Sequence, residues 1–497
     1  MGAGVGGLTV AHELSKYPEK FEVTLIERQS QAGGQAQTNV NADGRHTSYC
    51  WHAISSGYVN LARIFQEIPS DDDETKTVFD HLKPVTHYNY VTSKGNIHQF
   101  DNVFLLDPVL FHDTLQQMTG KTHYRDFIRG LYLKFYAKTS CRERIEYLDK
   151  VKWTDFTKHF SPEMRRWIVD SNSIYLGMDY NHIGAHLMLD LLRHTEVSKR
   201  FDPRYSFYCF DGPINLRWFN LWTDHLQHKG VRVLLDHEIT QLYKKDGAVH
   251  QIEAHNKQEN EVVLIESDVV VNGLPTEALA KLVRRPEFIE LDRLGKQIQT
   301  QVLYYLDFRL PEDNTTIYIF HESPWFLMTR HEGSFWDLHG CDLLSCGIGM
   351  WDVPGLNGKM AIECTREELA EECWNQMLQF PPANFPAQLP EWNIWKSFKF
   401  TLLTTDEPKF SNNSGTLALR PSYKDTDISN LYHATSYTKT DTNIFNMESG
   451  TEAGIRVARA LGCKEKVLKI SKPSLFVRMV RVVDKLIFRI QKLLRVV

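Results

Sequence analysis

Gly2, Gly4 and Gly7 are spaced as G-x-G-x-x-G within Gly2-Ala-Gly-Val-Gly-Gly7, and twenty residues after Gly7 the apolar run Val23-Thr-Leu-Ile ends on Glu27. Residues of these types in this order bind a dinucleotide. Gly2 allows a tight turn, Gly4 lets a pyrophosphate approach the backbone, and Gly7 lets the next helix pack on a sheet. Leu8 to Leu14 supplies that helix, whose N-terminal N–H groups face the phosphates, while Glu27 is placed to accept from a ribose hydroxyl. An ordinary strand-to-helix turn is the plainer alternative. Only Met1 precedes Gly2, where the fingerprint calls for a buried parallel strand, so the expectation is a front that lacks a few residues.

Other chemistry-bearing residues form weaker patterns. Asp71-Asp-Asp-Glu74 follows the helix stop at Pro69 and reads as a solvated loop rather than a metal site. His182, His186 and His194 read as surface or core residues, and no metal is expected. The eight cysteines show no C-x-x-C and read as reduced thiols of an intracellular chain. There is no G-x-S-x-G elbow, and no catalytic triad is expected.

The elements that position the fingerprint recur along the chain. Gly33-Gly34-Gln35 lets backbone pass close to a neighbour, and Val40 to His46 reads as a hairpin turned on Asp43-Gly44. A helix runs from Val59 to Ile68. Residues 105 to 205 carry apolar spacing of three and four and form a helical lobe. A second α/β stretch opens at Asp211, with a helix over Leu216 to Leu226 and strands at Gly230–Leu235, Glu238–Tyr243, Val249–Ala254 and Glu266–Gly273. Residues 299 to 350 alternate and read as a sheet, and Thr365-Arg-Glu-Glu368 caps a helix to about Leu378. Leu431–Ser436 is a final strand, and Asn446 opens a final small-residue helix.

Three separated segments resemble the flavoprotein superfamily of flavin amine oxidases and phytoene/carotene desaturases. They are Gly2–Gly34, the strands around Gly230–Ile239 and Asp268–Gly273, and Tyr437-Thr-Lys-Thr440 with Met447-Glu448-Ser-Gly450. Tyr58-Val-Asn, Ser323-Pro-Trp325 and Trp351-Asp-Val-Pro-Gly355 look more like the desaturases. The resemblance implies an α/β fold with a Rossmann-like FAD-binding domain of the glutathione-reductase type, an interleaved mixed sheet and helical substrate domain, and a C-terminal amphipathic helix. It implies FAD-binding segments at 1–70, 210–295 and 400–465, with substrate-domain segments at 71–209 and 296–399. FAD would lie on Gly2, Gly4, Gly7, Glu27, Arg28, Gly34 and Gln35, with Ile239 near the adenine, Ser436 toward the ribityl chain and Met447 and Glu448 beside the isoalloxazine. Gln35 stands where relatives commonly carry arginine, Thr435 where they carry glycine, and Ser436 where they carry an acid. Tyr437, Trp51 and His52 are candidates at the reacting face, and Lys396 or Lys399 could mimic the flavin-facing lysine of amine oxidases.

Composition and charge bound the partners. With 497 residues, more than one domain is expected, and a net charge of −5 argues against nucleic acid. The basic tail is the exception: Lys472 to Val497 carries seven Lys/Arg and one Asp, at helical spacing that separates cations from apolar residues. Such a helix lies in an anionic membrane interface or docks on the acidic body. The expectation is a cytoplasmic chain touching a membrane through residues 466–497, acting as an FAD-dependent desaturase or dehydrogenase on a lipophilic polyene or isoprenoid. The alternatives are a flavin amine oxidase on a soluble amine, an isomerase using FAD without net redox, and a flavin-less membrane scaffold.

Overall fold

The computed structural model describes residues 1–42, 44–48, 52–91, 97–101, 109, 112, 115–116, 123–170, 181–193, 200–202, 204–297, 300–310, 315–333, 336, 342–379, 389–392, 399–402, 409–442, 444–469 and 473–494. Six helices matter below: α1 Val5–Leu14, α2 Val59–Phe65, α3 Tyr124–Thr139, α4 Arg142–Tyr147, α5 Met447–Ala460 and α6 Leu475–Leu493.

The nucleotide-binding half is assembled from distant segments. Thr24–Ile26 pairs in parallel with Arg232–Leu234, and Val270–Asn272 pairs in parallel with Leu431–His433. The first residues of the chain sew these pairs together. Gly2 N donates to Ile26 O at 2.8 Å, the Met1 amine donates to Val271 O at 3.0 Å, and Gly273 N donates to Met1 O at 2.7 Å. An antiparallel meander of His237–Lys245, Ala248–Asn256 and Glu261–Glu266 lies beside them, turning at Asp246-Gly247 as the sequence indicates.

Helix α1 leaves this sheet and crosses α5, bringing residues some 440 positions apart into contact. The approach is close because glycines stand where a Cβ would strike: Gly454 of α5 against Thr9 of α1, and Gly6 of α1 against the Ala434 backbone, which follows Leu431–His433. A Cβ on Gly6 would sit 1.8 Å from Ala434 O, and one on Gly454 would sit 2.7 Å from Thr9 Cβ. Helix α1 is buried along its whole length. A network of Glu13, Lys16, Arg63 and Glu67 then ties it to α2, with His12 Nε2 donating to Glu67 at 2.9 Å.

The second half is a seven-stranded sheet in the order 399–402, 301–306, 342–347, 327–331, 316–320, 87–91, 97–101. All neighbours are antiparallel except 316–320 and 87–91, which come from opposite sides of the helical lobe in sequence. One sheet face presents Tyr304, Tyr318, Phe320, Leu344 and Cys346 to the helix Arg366–Gln379, which Thr365 and Glu368 cap reciprocally. The other presents Tyr88, Tyr90, Ile317, Ile319 and Met328 to the lobe built by α3, α4 and Ala185–Arg193. The helix predicted over Leu216 to Leu226 runs regularly only from Asn220 to His228, because a wider turn at Asn215–Phe219 precedes it.

Helix α6 docks on the lobe through its charged flank. Asp484 accepts from Cys141 N at 2.7 Å and from Arg144 Nε at 3.0 Å, Lys485 pairs with Glu143, and Arg481 Nε donates to the Lys138 carbonyl at 2.8 Å. Phe488 alone is buried, against Tyr147 and under the Arg144 guanidinium, worth roughly 2 kcal/mol of transfer free energy. Among the described residues no helix is long and apolar enough to cross a membrane.

The glycine crossing gives a stability prediction. Gly6→Ala should lower unfolding free energy by on the order of 1–3 kcal/mol in urea titration, because backbone and not a flexible side chain meets the new methyl. Gly4→Ala, whose methyl would meet nothing within 4 Å, should leave stability near that of the parent.

Candidate functional site

At the end of the parallel pairs the fingerprint turns as its glycines require. Gly2 has φ +84°, and a Cβ there would strike Gly273 O at 2.7 Å, while a Cβ on Gly7 would strike Gly2 O at 2.1 Å. Gly4 differs, since its Cβ would meet nothing within 4 Å although its backbone is ordinary extended chain. The open side of the turn is therefore at Gly4, where α1 begins with no side chain capping it. The first-turn N–H groups of a helix have no intrahelical partner, so this opening is suited to an anion.

The Gly33-Gly34 loop lies against the same turn. Gly33 N donates to Ala3 O at 2.9 Å, and a Cβ on Gly34, at φ +57°, would come 3.1 Å from Gly4 Cα. Asn215 fastens this loop from behind: its Oδ1 accepts from Thr38 N at 2.6 Å and its Nδ2 donates to Ala32 O at 3.2 Å. Gln35 lies in the short turn Gly34–Ala36. Glu27 is buried at the end of its strand; one oxygen accepts from Ala3 N at 2.7 Å and the other from Gln29 N at 3.0 Å. Its carboxylate thus braces the turn and retains lone pairs for a further donor. The carbonyl of Arg28 accepts from Lys257 Nζ at 3.0 Å, and Ile239 packs in the cluster of Met1 and Ile26.

The start of α5 joins the fingerprint, with a Cβ on Gly450 falling 3.5 Å from Gly6 N. Asn446 caps α5 by accepting from Ser449 N at 2.8 Å, and Ser449 Oγ donates to the Ser436 carbonyl at 3.2 Å. Met447 is half-buried at this end. Glu448 is fully buried, and its carboxylate is held by the N-terminus of α2: Oε1 accepts from Asn60 N at 3.0 Å and Asn60 Nδ2 at 2.7 Å, and Oε2 accepts from Leu61 N at 3.0 Å. Burial pushes this carboxyl up to about 7 against those three donors. Glu448 therefore clamps two helix ends together.

Tyr437 lies deep among the core of Met1, Ile26 and Val270, beneath Asn272. Its hydroxyl donates to Leu274 O at 2.8 Å and accepts from Asn272 Nδ2 at 3.0 Å, and burial raises its pKa. The same Asn272 amide lies 3.1 Å from His433 Nδ1, His433 Nε2 lies 3.1 Å from Asp425, and Asp425 takes two bonds from Arg285. Burial raises the Asp425 pKa, but the donors His433 and Arg285 outweigh it and hold the carboxyl below its ordinary range. This chain of polar groups fixes the ends of two parallel strands and leaves the Tyr437 hydroxyl committed. His52 is half-buried, while Trp51, Lys396 and the side chain of Lys399 lie outside the described residues.

Asn215 and Asn272 were not singled out from the sequence, and Asn60 only as the last residue of Tyr58-Val-Asn, with no role given to it. Each is a buried asparagine bonding loop or helix-end backbone, and no spacing marks it. Elsewhere, Asp71, Asp72 and His81 bring three ligand-type atoms within 4.8 Å. Both His81 ring nitrogens are already engaged, by Ser70 and Asp211, and both acids are exposed.

Comparison with known proteins agrees with this geometry. Residues 1–68 match the family described as an NAD(P)-binding Rossmann-like domain. An oxidoreductase from Methanosarcina mazei superposes with a TM-score of 0.62 at 14% identity, over 92% of this chain and 98% of that one. Putrescine oxidase bound to putrescine gives 0.62 at 12% identity, over 93% and 97%. Cyclohexylamine oxidase from Brevibacterium oxydans gives 0.58 at 14% identity, over 93% and 97%. No curated protein matches the sequence. The fold is α/β with a Rossmann-like domain, shared over nearly the whole chain with these two-domain oxidoreductases.

Glu448 makes the clamp sensitive to pH. A buried carboxyl raised from 4.5 to about 7 is still protonated in the folded chain where the unfolded chain has ionised. The stability that this carboxyl contributes is fully present below pH 4.5 and is lost as pH rises through 7. The destabilisation caused by Glu448→Gln should therefore shrink by roughly 3 kcal/mol between pH 5 and pH 8 in urea titrations. A constant difference would place the titration elsewhere.

Proposed function

We propose that this protein is an FAD-dependent oxidoreductase that removes hydrogen from a C–H bond of a lipophilic substrate, of polyene or isoprenoid type, beside a membrane. The observation that carries the cofactor is the cradle at Gly4, open where a side chain would stand and closed at Gly2 and Gly7. The residues present fit a dinucleotide. Gly4 and the first turn of α1 would hold the pyrophosphate, and Glu27 would accept from a ribose hydroxyl with its remaining lone pairs. Ser436 and Met447, brought up by α5, would line the flavin end.

When bound, a flavin supplies a hydride acceptor. The protein then needs to orient the substrate and keep water away, which accords with a second half built around buried aromatic residues. The exposed apolar stripe of α6 supports a lipophilic substrate and a membrane surface. A second reading, oxidation of a soluble amine, is favoured by the fold shared with putrescine and cyclohexylamine oxidases.

The test begins with an absorption spectrum of the chain incubated with FAD, which should show bound-flavin bands. Gly4→Val should keep the parent's thermal midpoint yet weaken FAD binding about a hundredfold, since its side chain would fill the pyrophosphate space. Unchanged flavin uptake by that variant would remove the cradle from the argument. Removal of residues 472–497 should leave the flavin spectrum intact and lower turnover of vesicle-borne substrate about tenfold. If the shortened chain instead oxidises soluble amines at the parent rate, the amine reading replaces the lipid one.

A further inference from the structure

Among the described residues, exposed large apolar side chains gather on two neighbouring helices, only one of which stood out in the sequence. On α6, Leu475, Phe476, Met479, Val482, Val483, Leu486, Ile487, Ile490 and Leu493 are all exposed, Leu493 to 82%. They recur every three or four residues, forming one stripe opposite Phe488. On α3, Tyr124, Ile128, Leu131, Tyr132 and Phe135 follow the same spacing and are also exposed, Tyr124 to 72%. Helix α6 packs on the C-terminal end of α3 through Arg481 and the Lys138 carbonyl.

Resting on the membrane reading above, we propose that α3 and α6 together form a docking face for an anionic lipid bilayer, with α6 remaining seated on the lobe. The charged flank of α6 is already occupied by α4, so its apolar stripe, and not its cationic side, is presented outward. Cations border both stripes. Helix α3 carries Arg125, Arg129, Lys134 and Lys138 against one acid, and α6 carries Arg478, Arg481, Lys485, Arg489 and Lys492 against one acid. A second copy packed on this face would set cations against cations, whereas anionic headgroups around inserted apolar side chains satisfy both features. Because α3 belongs to the second half, this face would also bring that half against the lipid.

The proposal is tested by floating the full chain with phosphatidylcholine vesicles, with or without about one-third phosphatidylserine, at roughly physiological ionic strength. The parent should float with the anionic vesicles only. The double variant Ile128→Glu/Phe135→Glu leaves α6 untouched and alters exposed positions alone, and should lower the bound fraction about tenfold with unchanged circular dichroism. Bimane labels on Leu131→Cys and Leu486→Cys should both shift to the blue on those vesicles. If the α3 variant floats like the parent and only the label at 486 shifts, the two-helix face is wrong, although the tail still binds lipid. A parent that does not float overturns both this face and the membrane reading on which it rests. A dimer seen by light scattering and lost in the α3 variant assigns the face to a second copy and overturns the lipid.

Discussion

The crossing of α1 and α5 is the contact on which the nucleotide-binding half depends. Helix α5 comes this close because Gly454 leaves room for Thr9, with Gly450 beside the Gly6 amide, while Gly6 itself leaves room for the Ala434 backbone at the end of the last strand. The contact sets where α5 begins, and so sets Ser436, Met447 and Glu448 relative to Gly4. Glu448 then fixes α2 against α5, and Asn215 fixes the Gly33-Gly34 loop against the turn. The site is thus a meeting of four backbone segments held by polar side chains, none of which acts alone.

Buried charge is kept paired here. Asp425, Arg285 and His433 lie where an unpaired charge would be costly, and each has its partner. Replacing such a set by apolar residues is often neutral in energy, whereas removing one member leaves an uncompensated buried charge. The Asn272 amide extends that set to Tyr437, which explains why an aromatic residue next to the predicted flavin segment ends up as part of the scaffold.

Much of the framework was legible in the sequence because it rests on local rules. The glycine spacing, the Asp246-Gly247 turn, the Thr365 capping box and the alternation over 299–350 each reflect one segment's own conformational needs. What was not legible depends on partners far away in the chain. The sequence places Glu448 at a helix start, but only the fold brings Asn60 and Leu61 to its carboxylate. The amphipathicity of α6 was plain, yet the direction of its faces was not, because Phe488 and Asp484 find partners on α4 some 340 residues earlier. Helix α3 went unnoticed as a surface because its exposed aromatic stripe is spaced like an ordinary core-facing one.

The segment from Leu82 to Val91 links the two halves in a way that limits how they can move. Its first part pairs with Phe207–Phe210, which also pairs with Ile54–Ser55 beside the nucleotide-binding half. Val85 N then bonds Phe207 O, Thr86 N bonds Thr315 O, and the chain continues as a parallel partner of Thr316–Phe320. On another side, the Tyr305 hydroxyl donates to the His46 carbonyl at 2.6 Å. A hinge between the halves at this segment would have to break the bonds to Phe207–Phe210 or those to Thr315–Phe320. The two halves are therefore coupled through backbone, so a shift of one carries the edge of the other with it.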